Sequence, residues 1–455
     1  MTKIRDIVSI DAQAVLSNAI QLSWYGDPTH KVENDRLAAG FVFGNRPMQK
    51  VGNHTESSSL PLFEKIRDSF GNQNAANIFT VVANYGHGKS HFALVLANYF
   101  GHGKDDPIIE NISEHIAMCS DPVTADGFRN YKKQTVKPHL VVTLSGHEFQ
   151  DLRQGFLRAL RKAMDSNEST RDKPIKSVWV RAADWLKSLS PDQIEQSESF
   201  LATKHNTDLE SLSHALATFS TGSDFVARDL SRELNGIEAN FGSEVNLKEV
   251  ITDVIDTYCS GNEAPFRRLL ILFDELGIYA EQWCHNRAAA GGLAPQEIFE
   301  ACSDRRGKVC FVGFVQRELG EFVKGFSADT QTDFQKWAGR MPADSVYLLV
   351  SNLEEVISKL IVKKPKWKQT ISDFSPRLLE ESSSAREVIP RYAQAWDENS
   401  FFGSVTRDCF PLHPLTTGIL CSLDFTQGNR TIIGVVDSLV RNAEARDISG
   451  GGIPN

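Results

Sequence analysis

Cysteine is scarce in this 455-residue chain, which has seven (Cys119, Cys259, Cys284, Cys302, Cys310, Cys409 and Cys421) and no C-x-x-C pair among them. That scatter argues against a disulfide framework and against structural zinc, and it fits a reducing cytoplasm. Long apolar runs are also missing, so nothing approaches the ~20 residues that a membrane-spanning helix needs. The first residues, Met1-Thr2-Lys3-Ile4-Arg5-Asp6, lack the apolar core of a secretory signal. An excess of positive charge is absent too: the net charge is −9. The surface as a whole is therefore not built to bind polyanions, although a local basic patch is still allowed. What remains is ordinary for a globular protein, with 41% apolar and 24% charged residues, and the length suits two or three domains.

The order of apolar runs gives the organisation. Ile78–Val82, Leu140–Leu144, Leu269–Phe273, Val309–Phe314 and Val346–Val350 are short, continuous and separated by stretches of helical period. This pattern predicts an α/β fold with a parallel sheet. Residues 1–60 form an N-terminal region in this reading, with a helix over Val8 to Tyr25 and a polar stretch from Gly44 to Ser59. Residues 61–350 form the core, opening with a helix over Phe63, Ile66, Arg67 and Phe70. A helical insertion occupies about 150–265, since a stretch that long is not a structureless loop. Residues 351–455 read as a helical lid, with helices at 353–361, 386–396, 415–423 and 431–445. Ser449-Gly450-Gly451-Gly452-Ile453-Pro454-Asn455 resembles a linker, so a longer parent chain is expected.

The residues that carry chemistry begin at Ala83-Asn84-Tyr85-Gly86-His87-Gly88-Lys89-Ser90, followed by His91. This is A-x-x-x-x-G-K-S, a Walker A phosphate loop with Ala83 in place of the first glycine. A strand precedes it, and a helix over Phe92, Val95, Leu96, Tyr99 and Phe100 follows, ending at Gly101. That arrangement points backbone N–H groups and a helix N-terminus at phosphates. Lys89 is expected on the β- and γ-phosphates of ATP and the Ser90 hydroxyl on Mg²⁺. Leu269-Leu270-Ile271-Leu272-Phe273-Asp274-Glu275 reads as Walker B, with Asp274 in the metal shell and Glu275 activating water. The acid pair favours hydrolysis over transfer to a second substrate.

Three further polar residues have candidate roles. Gln316 follows the fourth strand. In sheets similar to this one, the strand between the Walker A and Walker B strands ends in a polar group touching the γ-phosphate or the water. Arg340 precedes the fifth strand and is placed to reach a neighbour's nucleotide, or else to face its own helix dipole. Arg430 opens a lid helix and is placed to report nucleotide state, or else is solvated. Other features weigh less. Gly101-His102-Gly103-Lys104 reads as a helix stop, and Lys363-Lys364-Pro365-Lys366-Trp367-Lys368 as a solvated lid loop or a nucleic-acid contact. His413 reads as a packed turn residue.

The order of Walker A, Asp-Glu Walker B, polar strand end, Arg before strand five and helical lid resembles the AAA+ ATPases over about residues 60 to 445. Finer features are similar to the large ATPases of bacterial phage-defence islands, notably the BREX type. They are Ile4–Val8, Asn84–Phe92, Phe311–Leu319, Phe410-Pro411-Leu412-His413-Pro414 and Asn429-Arg430-Thr431. The resemblance implies an AAA+-like P-loop sheet, ATP and Mg²⁺ as cofactors, and hydrolysis coupled to lid motion in a homo-oligomer. It also implies other defence-system proteins as partners, with DNA as a further candidate and no membrane. Two alternatives stay open: an ATP-dependent assembly switch with negligible turnover, and a DNA-binding motor or loader. A small-molecule kinase is disfavoured by the acid pair and the lid length.

Overall fold

The computed structural model describes residues 2–11, 20–52, 54–84, 88–171, 173, 175, 178–220, 222–239, 241, 246–350, 353–422 and 429–448. Nine strands are present among them: β1 Val8–Ile10, β2 Gln49–Val51, β3 His54–Ser57, β4 Ile78–Val82, β5 Leu140–Ser145, β6 Leu269–Asp274, β7 Val309–Val315, β8 Val346–Leu349 and β9 Ile361–Lys363. All five apolar runs of the sequence become strands of one seven-stranded sheet, in the order β2-β3-β8-β4-β7-β6-β5. Every pairing is parallel except that of the edge strand β2 with β3. The strand that follows the phosphate loop's own strand in space is thus β7, which lies between β4 and β6.

Continuous apolar runs are what a parallel sheet covered on both faces requires, and every residue of β4, β6 and β7 is buried. Side chains alternate between two cores. Leu269, Ile271 and Phe273 of β6 face the first, with Val309 and Phe311 of β7 and the insertion helices. Leu270 and Leu272 face the second, with Val312 and Phe314 and the helices Ser59–Ser69 and Lys89–Gly101. The insertion is helical as expected, comprising Leu152–Asp165, Val178–Lys187, Pro191–Phe200, Leu209–Ala217, Ser223–Asn235 and Leu247–Tyr258 between β5 and β6. Local chemistry sets several starts. Asp106-Pro107, Asp121-Pro122 and Ser190-Pro191 each place a capping oxygen before a proline at the first helical position.

The first sixty residues do not pack as one region. Ile4, Ile7 and Val8 share a core with Leu353, Ile357, Leu360 and Val436 of the lid. Strand β1 pairs antiparallel with β9, Val8 opposite Lys363 and Ile10 opposite Ile361. By contrast, Leu22, Phe41 and Phe43 pack on the second face of the sheet. The helix expected over Val8 to Tyr25 is therefore corrected. Its described parts are β1 and a short 3-10 turn, Leu22–Trp24, while 12–19 lie outside the described residues. Alternation in Val8-Ser9-Ile10 suits a strand, and β9 supplies its ladder. The polar stretch from Gly44 to Ser59 holds the β2–β3 hairpin, which turns through Gly52 at φ +60°. The lid helices are Leu353–Leu360, Trp367–Val388, Pro390–Ala395, Pro414–Ser422 and Asn429–Ala443, among shorter pieces. The helix expected from residue 386 to 396 is corrected: a 22-residue helix, Trp367–Val388, ends there and a separate helix runs over Pro390–Ala395.

Candidate functional site

Ligands in open parallel sheets bind beyond the carboxyl ends of the strands, and the sequence-predicted residues collect there. Strand β4 ends at Val82, and the Ala83 N–H donates to the Val315 carbonyl at 3.1 Å, tying the loop's entry to β7. Tyr85, Gly86 and His87 lie outside the described residues. Gly88 caps the next helix at φ +82°, a conformation that strains any residue with a Cβ. The Lys89–Gly101 helix then begins, and the first amides of a helix have no acceptor within it. Those of Lys89, Ser90 and His91 stand at this end. Lys89 is buried, and its ammonium donates to the Ala83 carbonyl at 2.6 Å and the Asn84 carbonyl at 2.9 Å.

Strand β6 brings Asp274, only 5% exposed, to the same place. The Ser90 side chain lies near enough to the Asp274 carboxylate to favour its charged form. Asp274 Oδ1 also accepts from the Glu275 N–H at 3.0 Å. Glu275 itself adopts φ +56°, ψ +33° as it caps the helix Leu276–His285. A left-handed conformation at a non-glycine residue costs about 1–3 kcal/mol and is found where a site demands it. Glu275 Oε2 accepts from Gln316 Nε2 at 2.9 Å, Gln316 standing one residue beyond β7. Lys89, Ser90, Asp274, Glu275 and Gln316 are thus one cluster built from β4, β6 and β7.

Sequence reasoning missed His147. It follows β5, whose Ser145 lies opposite Asp274 in the parallel register. The Gly146 N–H donates to the Asp274 carbonyl at 3.0 Å, and a Cβ on Gly146 would overlap the Glu275 carbonyl. Only glycine lets the two strand ends come this close, and the His147 charge in consequence acts on both acids. A lone histidine carries no motif. The signal was positional: the second apolar run had to end beside the third.

Burial dominates the electrostatics. It pushes the Asp274 carboxyl up, against the opposing effects of Ser90, the Glu275 amide, Lys89 and His147. It pushes the Glu275 carboxyl up as well, reinforced by the Asp274 charge. It holds the Lys89 ammonium below its usual range, although both acids oppose that shift. A cluster of this kind favours added charge that completes it. The donor set of one hydroxyl and one carboxylate, both hard oxygens, suits Mg²⁺, which keeps waters and takes phosphate oxygens rather than filling an all-protein cage. No group of three or more His, Cys, Asp or Glu placed to hold a metal occurs among the described residues.

Other expected site residues lie elsewhere or are tied up. The His91 side chain turns away from the loop: Nε2 pairs with the Leu37 carbonyl at 2.7 Å, and its ring packs edge-on to Phe41. Burial holds its pKa down to about 4, so this side chain is removed from the phosphate-binding set and only its backbone stays at the helix start. Arg340, beyond the Ala328–Ala338 helix, pairs with Glu300 at 3.0 Å and is exposed. Arg430 lies in the Asn429–Ala443 helix, and its side chain is outside the described residues. His413 is a packed residue that pairs with Glu381 at 2.7 Å. In the basic stretch, Lys363 ends β9, the Lys364 ammonium donates to the Arg5 carbonyl at 2.6 Å, and Trp367 begins the long helix. Lys364 thus ties this stretch to the N-terminal segment, while Pro365, Lys366 and Lys368 are exposed.

No protein-family model and no curated protein matches the chain. Among the described residues, no helix is long and apolar enough to cross a membrane.

Proposed function

We propose that this protein is an AAA+-like, Mg²⁺-dependent ATPase whose hydrolysis drives lid movement and engagement of partner proteins or DNA in a bacterial phage-defence assembly. The observation that carries the reading is the meeting of Ser90 with Asp274 beside Lys89, Glu275 and Gln316, residues drawn from three separated segments of the sequence. In this mechanism Lys89 leaves the Ala83 and Asn84 carbonyls for the β- and γ-phosphates. Ser90 and Asp274 would hold Mg²⁺, which would supply neutralisation of the phosphate charge. Glu275, its basicity raised by burial and by Asp274, takes a proton from the attacking water, and Gln316 orients Glu275 and that water. The Arg340–Glu300 pair sits on the exposed side of the core. Exchange of Glu300 for a neighbouring subunit's γ-phosphate would make the active form a homo-oligomer. The phage-defence setting rests on the sequence resemblance.

The test is phosphate release and ATP calorimetry on wild type, Glu275→Gln and Lys89→Ala. Glu275→Gln is expected to keep ATP binding and lose about 10²–10⁴ in turnover, and Lys89→Ala to lose binding. An assembly switch with negligible turnover is the second reading, favoured by the Glu275 oxygen already occupied by Gln316. Wild type that binds ATP without releasing phosphate, and a Glu275→Gln variant identical to it, would establish that reading instead.

A further inference from the structure

A cavity of about 1210 Å³ lies at the opposite end of the Lys89–Gly101 helix from the Ala83–Ser90 loop. That helix is about 20 Å long. The groove runs between the segment that starts at Trp24, the entry to β5 at Pro138 and His139, and the insertion helix Leu152–Asp165. It exceeds the roughly 300–1,000 Å³ of a small-molecule site.

Its charges do not cancel. Five lysines and arginines line it against three carboxylates: Asp35 pairs with Lys31 at 2.9 Å and Asp165 with Arg161 at 2.8 Å, while Asp27 is hydrogen-bonded to the His30 ring at 3.1 Å. Arg158, Lys162 and Arg171 also line it and are exposed. Their hydrogen bonds go to oxygens that carry no charge. Arg158 Nε donates to the Thr218 carbonyl at 2.8 Å, Lys162 Nζ to the Ser23 carbonyl at 3.2 Å and Arg171 Nε to the Asp165 carbonyl at 3.4 Å. Among the described residues none of the three makes an ion pair. Arg158 and Lys162, four residues apart, share one face of their helix. In a protein of net charge −9, this is a concentration of uncompensated positive charge. Beside it, Trp24 lines the groove with its ring stacked on His30, centroids 5.3 Å apart and planes within 3°. The indole plane is therefore fixed before any ligand arrives.

We propose that this groove binds single-stranded nucleic acid, with phosphates along Arg158, Lys162 and Arg171 and a base stacked at Trp24. Backbone-tracking cations beside a fixed aromatic plane are what sequence-tolerant strand binding uses. An acidic peptide would engage the cations and leave the indole unused. The inference adds a surface to the function proposed above and stands apart from ATP chemistry, because no residue of the phosphate site lines the groove.

Fluorescence anisotropy with labelled oligothymidylate and oligouridylate tests it on the whole chain. Affinity is expected to fall as salt rises, with a log–log slope of about −2 for three phosphate contacts. The combined variant Arg158→Ala, Lys162→Ala, Arg171→Ala should bind about tenfold or more weakly and lose most of that slope. Trp24→Phe should bind nearly as wild type, and Trp24→Ala about tenfold more weakly with the slope unchanged. Lys89→Ala should bind oligonucleotide normally, which separates this proposal from the ATPase reading. Oligouridylate against oligodeoxyuridylate, which differ only at the 2′ position, assigns the sugar. The proposal is overturned if neither oligonucleotide binds at low salt, if the triple variant (folded, by thermal unfolding) binds as wild type does, or if oligoglutamate binds in their place.

Discussion

Asp274 holds a charge where the protein gives it little solvent. Burial raises its pKa above the ordinary carboxylate range despite Ser90, Lys89 and the Glu275 amide. The folded state therefore holds this proton more tightly than the unfolded state does. Stability from the protonated form is complete below the unfolded value of about 3.9 and is lost as pH rises through the folded one. Asp274→Asn should then raise the thermal midpoint of the nucleotide-free protein at pH near 8 and leave it unchanged at pH near 3. Under the proposed function, MgATP should stabilise wild type and fail to stabilise this variant. Scanning calorimetry across pH checks both, and a lower midpoint at alkaline pH would mean that Asp274 is a net structural support. Functional sites commonly hold such unfavourable groups because the ligand, not the fold, completes them.

At the scale of elements, β1 depends on the lid. Ile4 and Ile7 are fully buried among lid helices, so Ile7→Ala should destabilise by about 2–5 kcal/mol. Hydrogen exchange should quicken in the helices Leu353–Leu360 and Asn429–Ala443 and stay unchanged in Lys89–Gly101. Equal acceleration everywhere would show lid and core unfolding as one unit. Legibility in the sequence follows burial. Strands β4 to β8 were readable because parallel strands covered on both faces must be apolar throughout or nearly so. The β2–β3 hairpin was hidden because Gln49-Lys50-Val51 is exposed along its length and carries no apolar pattern. Strands β1 and β9, three residues each, are too short to show a period. The Trp367–Val388 helix was obscured by its basic start and by Pro376 in its interior. In the site, Lys89, Ser90, Asp274 and Glu275 announced themselves through spacing and flanking elements. His147 did not, since its place depends on which strand ends meet, and only the sheet order decides that.

For the molecule as a whole, the seam between core and lid is where pH should be felt. Arg46, from the core-side loop, lies over the Trp396 ring at 4.9 Å and reaches Glu354 at 3.6 Å and Glu355 at 3.9 Å. Arg46, Glu355 and Trp396 border a cavity of about 640 Å³ that also takes in Lys359 and Trp367. Burial pushes the Glu355 carboxyl up to about 7, opposed by Arg46 and reinforced by Glu354. Its stabilising contribution is full below the unfolded value of about 4.3 and disappears as pH climbs through 7. Glu355→Gln should accordingly flatten the fall in unfolding midpoint that wild type shows from about pH 5 to about pH 8. Parallel curves for the two proteins would remove Glu355 as the cause. The clasp at the chain's start also has a consequence in time. The Ile448 N–H donates to the Thr2 carbonyl at 2.9 Å and the Ile4 N–H to the Arg446 carbonyl at 3.2 Å, so residues 2–4 must wait for residues 446–448 to be synthesised. The nucleotide core is synthesised entirely in between, and it can collapse around its sheet while β1 is still unpartnered. The helices beyond β8 thereby assemble after the sheet, and a chain stalled just after β8 would present a finished sheet with β1 still lacking β9.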